Sequence, residues 1–315
     1  MAYPDFVCMG FQKCGTTSLY DILAQHPQVA LCRDVKEPMY YRVPFLSVIG
    51  LGSVYYRKRY FGHVGRGDRR KKGEINAGLT FGGCAEKLAK DFPRDTKMIF
   101  MLRNPVDRSY SAYKYFLARG FLPAEAVAYD AVHGHARGFD HYAHSVLDDP
   151  GQRGKIMSSR MKYLVFSQSN YAACISDYLK EFDIRNMKFV VFEDFIRDQH
   201  RVCREIYEFI GVEDAEGIQY NLRSNEGRER ATSGLRAREF CIIKGINYFL
   251  YDLIAMPHWA PKLYERYAAF YGKIRSKCLA EDSDRSGVLP STRTYLMGYF
   301  EKDLNHLEKL TGVRW

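Results

Sequence analysis

Apolar positions along this chain follow two patterns. Five short runs are continuously apolar and end in turn residues, over 5–10, 29–32, 73–76, 97–102 and 188–193, as strands buried on both faces do. Elsewhere apolar residues recur at three- and four-residue spacing, which predicts helices over 15–26, 82–91, 105–119, 160–167, 170–182, 200–210, 234–254, 260–277 and 291–310. Strands separated by helices predict an α/β fold, with a parallel sheet covered on both faces and a helical C-terminal third. The stretch 120–158 is rich in Gly, His and Asp without a clear period, and reads as an insertion or flexible loop. No internal repeat is present, and 1–315 reads as a single domain.

Ligands of such sheets bind beyond the carboxyl ends of the strands, and two of the strands end in anion-binding chemistry. The first runs into a glycine-bounded turn and then an amphipathic helix, so backbone amides can approach an anion at the helix N-terminus. Gly10 and Gly15 have the spacing of a Walker A loop, but Thr16 stands where that loop has its lysine, and Lys13 has moved to mid-turn. The strand 97–102 ends in Arg103, where a magnesium-dependent nucleotide hydrolase would place an aspartate. Eight residues on, in the helix that Pro105 opens, lies Ser111. A guanidinium and a hydroxyl aimed at one place make a phosphate clamp that needs no metal. Two such sites suit a nucleoside with phosphates at both ends.

Lys13-Cys-Gly-Thr-Thr-Ser-Leu resembles the 5′-phosphosulfate loop of the sulfotransferases that use 3′-phosphoadenosine 5′-phosphosulfate (PAPS). Leu102-Arg-Asn-Pro-Val-Asp-Arg-Ser-Tyr-Ser is similar to their 3′-phosphate motif. Lys36-Glu-Pro-Met-Tyr-Tyr, Gly73-Glu-Ile-Asn, Phe189-Val-Val-Phe-Glu-Asp-Phe and the terminal Leu307-Glu-Lys-Leu-Thr-Gly resemble segments of the carbohydrate branch, which includes the heparan sulfate and glucosaminyl enzymes. The resemblance implies a P-loop-like three-layer α/β fold and transfer of a sulfuryl group from PAPS to a hydroxyl, on a carbohydrate or glycoconjugate. It implies that Lys13, Cys14, Gly15, Thr16, Thr17 and Ser18 surround the 5′-phosphate, and that Arg103 and Ser111 hold the 3′-phosphate. Arg228 and Arg230, in a late polar loop, become candidate contacts. Glu37 becomes the general base, and Lys13 stabilises the leaving phosphate. No metal is implied.

The glucosaminyl enzymes place a lysine straight after the glutamate that corresponds to Glu74, whereas this chain has Ile75. Lys36 or an arginine of 223–238 is the candidate replacement, and Asn76 a candidate acceptor contact. Phe192 matches an aromatic near the adenine in cytosolic members, or is core. The alternatives are an amine, lipid or peptide acceptor, a magnesium-dependent nucleotide kinase, or a non-catalytic polyanion-binding protein.

Composition narrows the partners. The net charge of +10 calls for a polyanionic ligand or surface. Part of it sits in Arg57-Lys-Arg and Arg69-Arg-Lys-Lys, either a solvated loop or a rim that attracts an acidic glycan or anionic lipid. No nucleic-acid motif accompanies it. The eight cysteines show no Cys-x-x-Cys pair, which fits a reducing compartment, and His133, His135, His141 and His144 lack the framing ligands of a metal site. No leader precedes the first strand and no apolar run spans a bilayer. The animal Golgi relatives carry an N-terminal anchor, so the expectation is a cytoplasmic, bacterial enzyme. Segment 240–256 reads as a groove-lining helix, or as an interfacial helix that brings the enzyme to a lipid-linked acceptor.

Overall fold

A computed structural model describes residues 3–33, 35–38, 40–41, 52–119, 121–148, 164–220, 229–231, 242–243, 246, 250, 260–281 and 284–315. These residues pack as two compact units, the first made of 1–104, 170–224 and 301–315, the second of 105–169 and 225–300.

The first unit holds a parallel sheet of β1 (Phe6–Gly10), β2 (Val29–Leu31), β3 (Lys71–Ile75), β4 (Lys97–Leu102) and β5 (Met187–Val191), in the order β2-β3-β1-β4-β5. Every side chain of β1 is buried, as expected of a central strand under helices. β1 pairs with β4 from Phe6 opposite Lys97 to Gly10 opposite Met101, and with β3 on its other side. The chain leaves β1 toward β2 and β3 on one side and later reaches β4 and β5 on the other. The carboxyl end of β1 is therefore the switch point of the sheet, where open α/β sheets bind ligands.

Helices α1 (Thr16–Leu23), α3 (Cys84–Asp91), α7 (Tyr171–Glu181) and α9 (Gln199–Ile210) lie close to their expected bounds, whereas the short α8 (Phe192–Arg197) was not expected and takes over the end of the strand expected over 188–193. Helix α2 (Gly52–Phe61) was not expected; it buries Tyr56, Tyr60 and Phe61 from an otherwise basic sequence. The sheet core is sealed by aromatic packing, as where Phe100 meets Tyr178 and Phe189.

In the second unit, α4 (Pro105–Ala118) packs with α5 (Ala124–Leu147) and the short α6 (Leu164–Ser167). α5 corrects the expectation of a loop over 120–158. Its 24 residues are helical except at Gly134, whose φ of 80° and ψ of 168° break the helix. Phe139, Tyr142, Ala143, Val146 and Leu147 form a buried face at helical spacing, which the glycines and histidines obscured. Residues 149–158 lie outside the described residues. Two strands that the sequence did not announce, β6 (Glu229–Ala231) and β7 (Leu279–Glu281), pair antiparallel. Of the helical C-terminal third, α10 (Pro261–Cys278) and α11 (Pro290–Thr311) are present. The helix expected over 234–254, with the membrane-facing segment 240–256, lies outside the described residues apart from positions 242, 243, 246 and 250.

Candidate active site

The loop after β1 is built on two left-handed residues. Gly15, with φ of 87°, starts α1 with no side-chain cap, and no acidic residue occupies the first turn. The amide end of α1 is thus electrostatically positive and undamped. Lys13 has φ of 75° and is the only non-glycine with positive φ among the described residues. An L-residue in that region costs about 1–2 kcal/mol, and such strain persists only where neighbours hold it. The holding group is Arg103, whose Nη1 donates to the Lys13 carbonyl at 3.1 Å. The two anion motifs of the sequence are thus one structure, bridged across β1 and β4. Close packing explains the glycines. A Cβ on Gly10 would fall 2.0 Å from Thr16 Cγ2, and one on Gly15 would fall 2.6 Å from the Phe192 ring.

Phe192, which the sequence left between ring-binding and core, supports Arg103, whose guanidinium carbon lies 4.6 Å from the ring centroid. The Tyr171 hydroxyl donates to the Arg103 carbonyl at 2.7 Å, and the Tyr171 ring packs on Phe11 at 4.6 Å. Glu193 accepts from the Asn104 amide at 2.9 Å and from Trp315 Nε1 at 3.3 Å, tying the strand end to the C-terminal residue. Against this framing, Arg103 Nε is buried and has no hydrogen-bond partner among the described residues. A buried guanidinium nitrogen without an acceptor is the kind of orphan that an anionic ligand satisfies.

The second half of the expected clamp is not brought to Arg103 by any described contact. Ser111 is half-buried on α4, in the other unit, and Arg228 lies outside the described residues. Arg230 falls in β6. Their neighbours in the motif are committed to structure. Arg108 is fully buried, with Nε donating to Ser169 Oγ at 2.5 Å and Nη2 to the carbonyls of Leu164 and Val165. The Ser109 hydroxyl meets Ser169 Oγ at 2.9 Å. Nothing in the sequence distinguished this arginine from Arg103.

Around the residues after β2, Glu37 keeps 39% of its side chain exposed. Lys36 turns to α1, where Nζ donates to Thr17 Oγ1 at 2.8 Å and Thr16 Oγ1 at 3.2 Å, with Glu37 Oε1 at 3.5 Å. Glu74 is fully buried and accepts from the Tyr56 hydroxyl and, at 2.7 Å, from Asn76 Nδ2. Burial, reinforced by the Glu74 charge, drives the Tyr56 pKa far above that of a free phenol, so Tyr56 stays a donor. Asn76, read as an acceptor contact, instead ties Pro38 O at 2.7 Å and the Gly78 amide at 2.9 Å, and is 2% exposed. Ile75 is core. The Lys36 bond to the loop was missed; the Lys-Glu-Pro motif marked its position but not its direction.

Cys14 is buried in the turn. Burial pushes the Cys8 thiol up to about 12, partly offset by the charge of Lys36. The four histidines singled out above have protein partners. His135 Nδ1 sits 2.9 Å from buried Asp130, His144 Nδ1 2.8 Å from Asp148, and His133 and His141 pack on Tyr129. Among the described residues no group of His, Cys, Asp and Glu suits a metal ion, and no helix is long and apolar enough to cross a membrane.

The sulfotransferase domain family matches residues 3–235, through segments of both units. The membrane-associated sulfotransferase kil1 of Dictyostelium discoideum is 29% identical over 116 residues, which cover 36% of this chain and 23% of that protein. The chain therefore spans about a quarter of the length of that relative. The crystal structure of a sulfotransferase from Alicyclobacillus acidocaldarius aligns with a TM-score of 0.61 at 21% identity, over all of this chain and 98% of the other. That likeness supports the P-loop-like α/β fold. With about three quarters of its length inside the family match, the chain belongs to the sulfotransferase family.

Proposed function

We propose that this enzyme transfers the sulfuryl group of PAPS to a hydroxyl of a carbohydrate or glycoconjugate acceptor. The observation that carries the reading is the Arg103 junction, which holds Lys13 in its strained turn and keeps a buried Nε without a partner among the described residues. The Arg103 guanidinium meets the backbone of Lys13 beyond the switch point of the sheet, beside the uncapped amide end of α1. This arrangement fits a nucleotide that carries an anionic group on each side.

In this reading the donor supplies a sulfuryl group on a phosphate leaving group. Lys13 and the amides and hydroxyls of Gly15, Thr16, Thr17 and Ser18, with Cys14 as a backbone position, receive the 5′-phosphate and the charge that builds on it. Preorganised donors of this kind carry most of the acceleration in group transfer. Arg103 takes the 3′-phosphate. Glu37, exposed and beside Lys36, removes the acceptor proton. The net charge supports an acidic acceptor, and the Lys36-Glu-Pro segment supports a sugar over an amine, lipid or peptide. A cytoplasmic location, with peripheral membrane contact for a lipid-linked acceptor, completes the proposal. A kinase accounts poorly for Thr16 and for Arg103 at the end of β4.

Calorimetric titration tests this directly. Adenosine 3′,5′-bisphosphate (PAP) binds tightly and indifferently to chelator, while ADP and ATP with magnesium bind weakly. Preference for magnesium-ATP, or no nucleotide binding, rejects the reading. Glu37→Gln leaves PAP binding intact and lowers transfer from PAPS to an oligosaccharide acceptor by about 10²–10⁴-fold.

A further inference from the structure

The sulfuryl group in flight carries negative charge on its oxygens, and the position that serves it in the resembling enzymes is here the core residue Ile75. Neighbouring Glu74 and Asn76 are committed to Tyr56, Pro38 and Gly78. No cation reaches the site from β3 by that route.

We propose that Lys36, arriving instead from the segment after β2, is the second cation of the transfer site and binds the sulfonate end of the donor. This rests on the PAPS reading above. Its Nζ donates to the hydroxyls of Thr17 and Thr16, both in the first turn of α1. Only 22% of the side chain is exposed. An ammonium that far from water needs compensating charge. Among the described residues its sole carboxylate is Glu37, at 3.5 Å and itself 39% exposed. The positive end of α1 faces the same place, and Lys13 lies three residues before Thr16. Lys36 and the amide end of α1 bring like charge to one place, which an anion would satisfy, and the hydroxyls of Thr16 and Thr17 hold the lysine there.

The adjacent pair then divides the work. Glu37 takes the proton of the acceptor hydroxyl, whose oxygen bonds to sulfur as the bond from sulfur to the 5′-phosphate oxygen breaks. PAP leaves with that electron pair, held by Lys13 and the loop. Lys36 keeps its proton throughout and neutralises the sulfonate oxygens. The sulfated acceptor, PAP and a protonated Glu37 are the balance.

PAP lacks the sulfonate, so the comparison of PAPS with PAP isolates the contact. Calorimetry on the full chain is the test. Lys36→Met lowers PAPS affinity about tenfold, as loss of one charge-assisted hydrogen bond should, and changes PAP affinity less than about threefold. Lys36→Arg keeps most of the PAPS affinity. Circular dichroism verifies the fold; if Lys36→Met does not fold, Lys36→Gln, which can still donate to Thr17, carries the same comparison. Equal losses for both ligands, or no loss for either, overturn the proposal and leave Lys36 as a brace for the loop. Wild-type protein that binds neither ligand rejects the PAPS reading itself, an outcome read separately from the variants.

Discussion

Two arginines five residues apart, Arg103 at the end of β4 and Arg108 on α4, are used in opposite ways. Arg108 has lost all contact with solvent, and its donors are spent on Ser169, Leu164 and Val165. Arg103 makes a hydrogen bond to the Lys13 carbonyl, leans on Phe192 and retains a buried nitrogen with no partner among the described residues. The same side chain is a structural bolt in one place and a proposed ligand group in the other. What separates them is the number of donors that the fold consumes.

The comparison can be broken by exchanging which arginine matters for what. Arg108→Ala strands buried acceptors and costs about 3 kcal/mol or more of stability. Urea unfolding reads it as a large drop in midpoint, or the protein fails to accumulate. A variant that kept its midpoint and lost nucleotide binding would reverse the roles. Arg103→Ala does the opposite: PAP affinity falls on the order of thirtyfold by calorimetry, as loss of a charged hydrogen bond predicts, while the urea midpoint moves little. Phe192→Ala sharpens the same point. Removing the aromatic face costs about 1 kcal/mol of PAP affinity, roughly fivefold, without unfolding the sheet.

The smallest effect belongs to Asp284, in the unit of Arg108. Burial works to raise its pKa, but hydrogen bonds from the amides of His135 and Ser286 and the Ser286 hydroxyl outweigh it and hold the carboxyl below its ordinary value of 3.8. A depressed folded-state pKa contributes stability that is fully present above the unfolded value and lost as pH falls through the folded one. Asp284→Asn therefore lowers stability by roughly 0.5–1 kcal/mol at pH 7, solvent screening limiting the effect. The gap between variant and wild type closes as pH drops below about 4, the range of an unfolded carboxyl. Melting curves at pH 7 and at the lowest pH where the fold persists check it; a gap independent of pH would assign the loss to packing.

The contrast also explains what the sequence could disclose. β1 and β4 were legible because a strand buried on both faces must be continuously apolar, and the glycines of the loop because backbone must approach Thr16 and Phe192 closely. The role of Arg108 was not legible. Its partners Leu164, Val165 and Ser169 lie more than fifty residues away, and two of the acceptors are carbonyls that carry no residue signature. α5 was hidden by Gly134 and by histidines that pack on Tyr129 or pair with aspartates. α2 buries Tyr56, Tyr60 and Phe61 close together, too short a stretch for a period. The three-residue strands β6 and β7 carry no alternation at all. At the candidate site the residue types were readable and their directions were not. Lys36 and Glu37 adjoin in sequence, yet one reaches into the loop and the other toward solvent.

The bond between Arg103 and Lys13 also makes the enzyme an inspector of its own assembly. Gly10 lies opposite Met101 in the sheet, so the bonded partners stand a few residues past a defined rung. If β1 and β4 aligned one rung out of step, a displacement of about 3.3 Å, the guanidinium would miss the carbonyl and Lys13 would relax from its turn. Such a molecule could look folded by its helix content and still hold no nucleotide. On the proposed reading, the capacity to bind nucleotide is then a certificate of correct strand alignment, issued by the same contact that holds Lys13 in its turn.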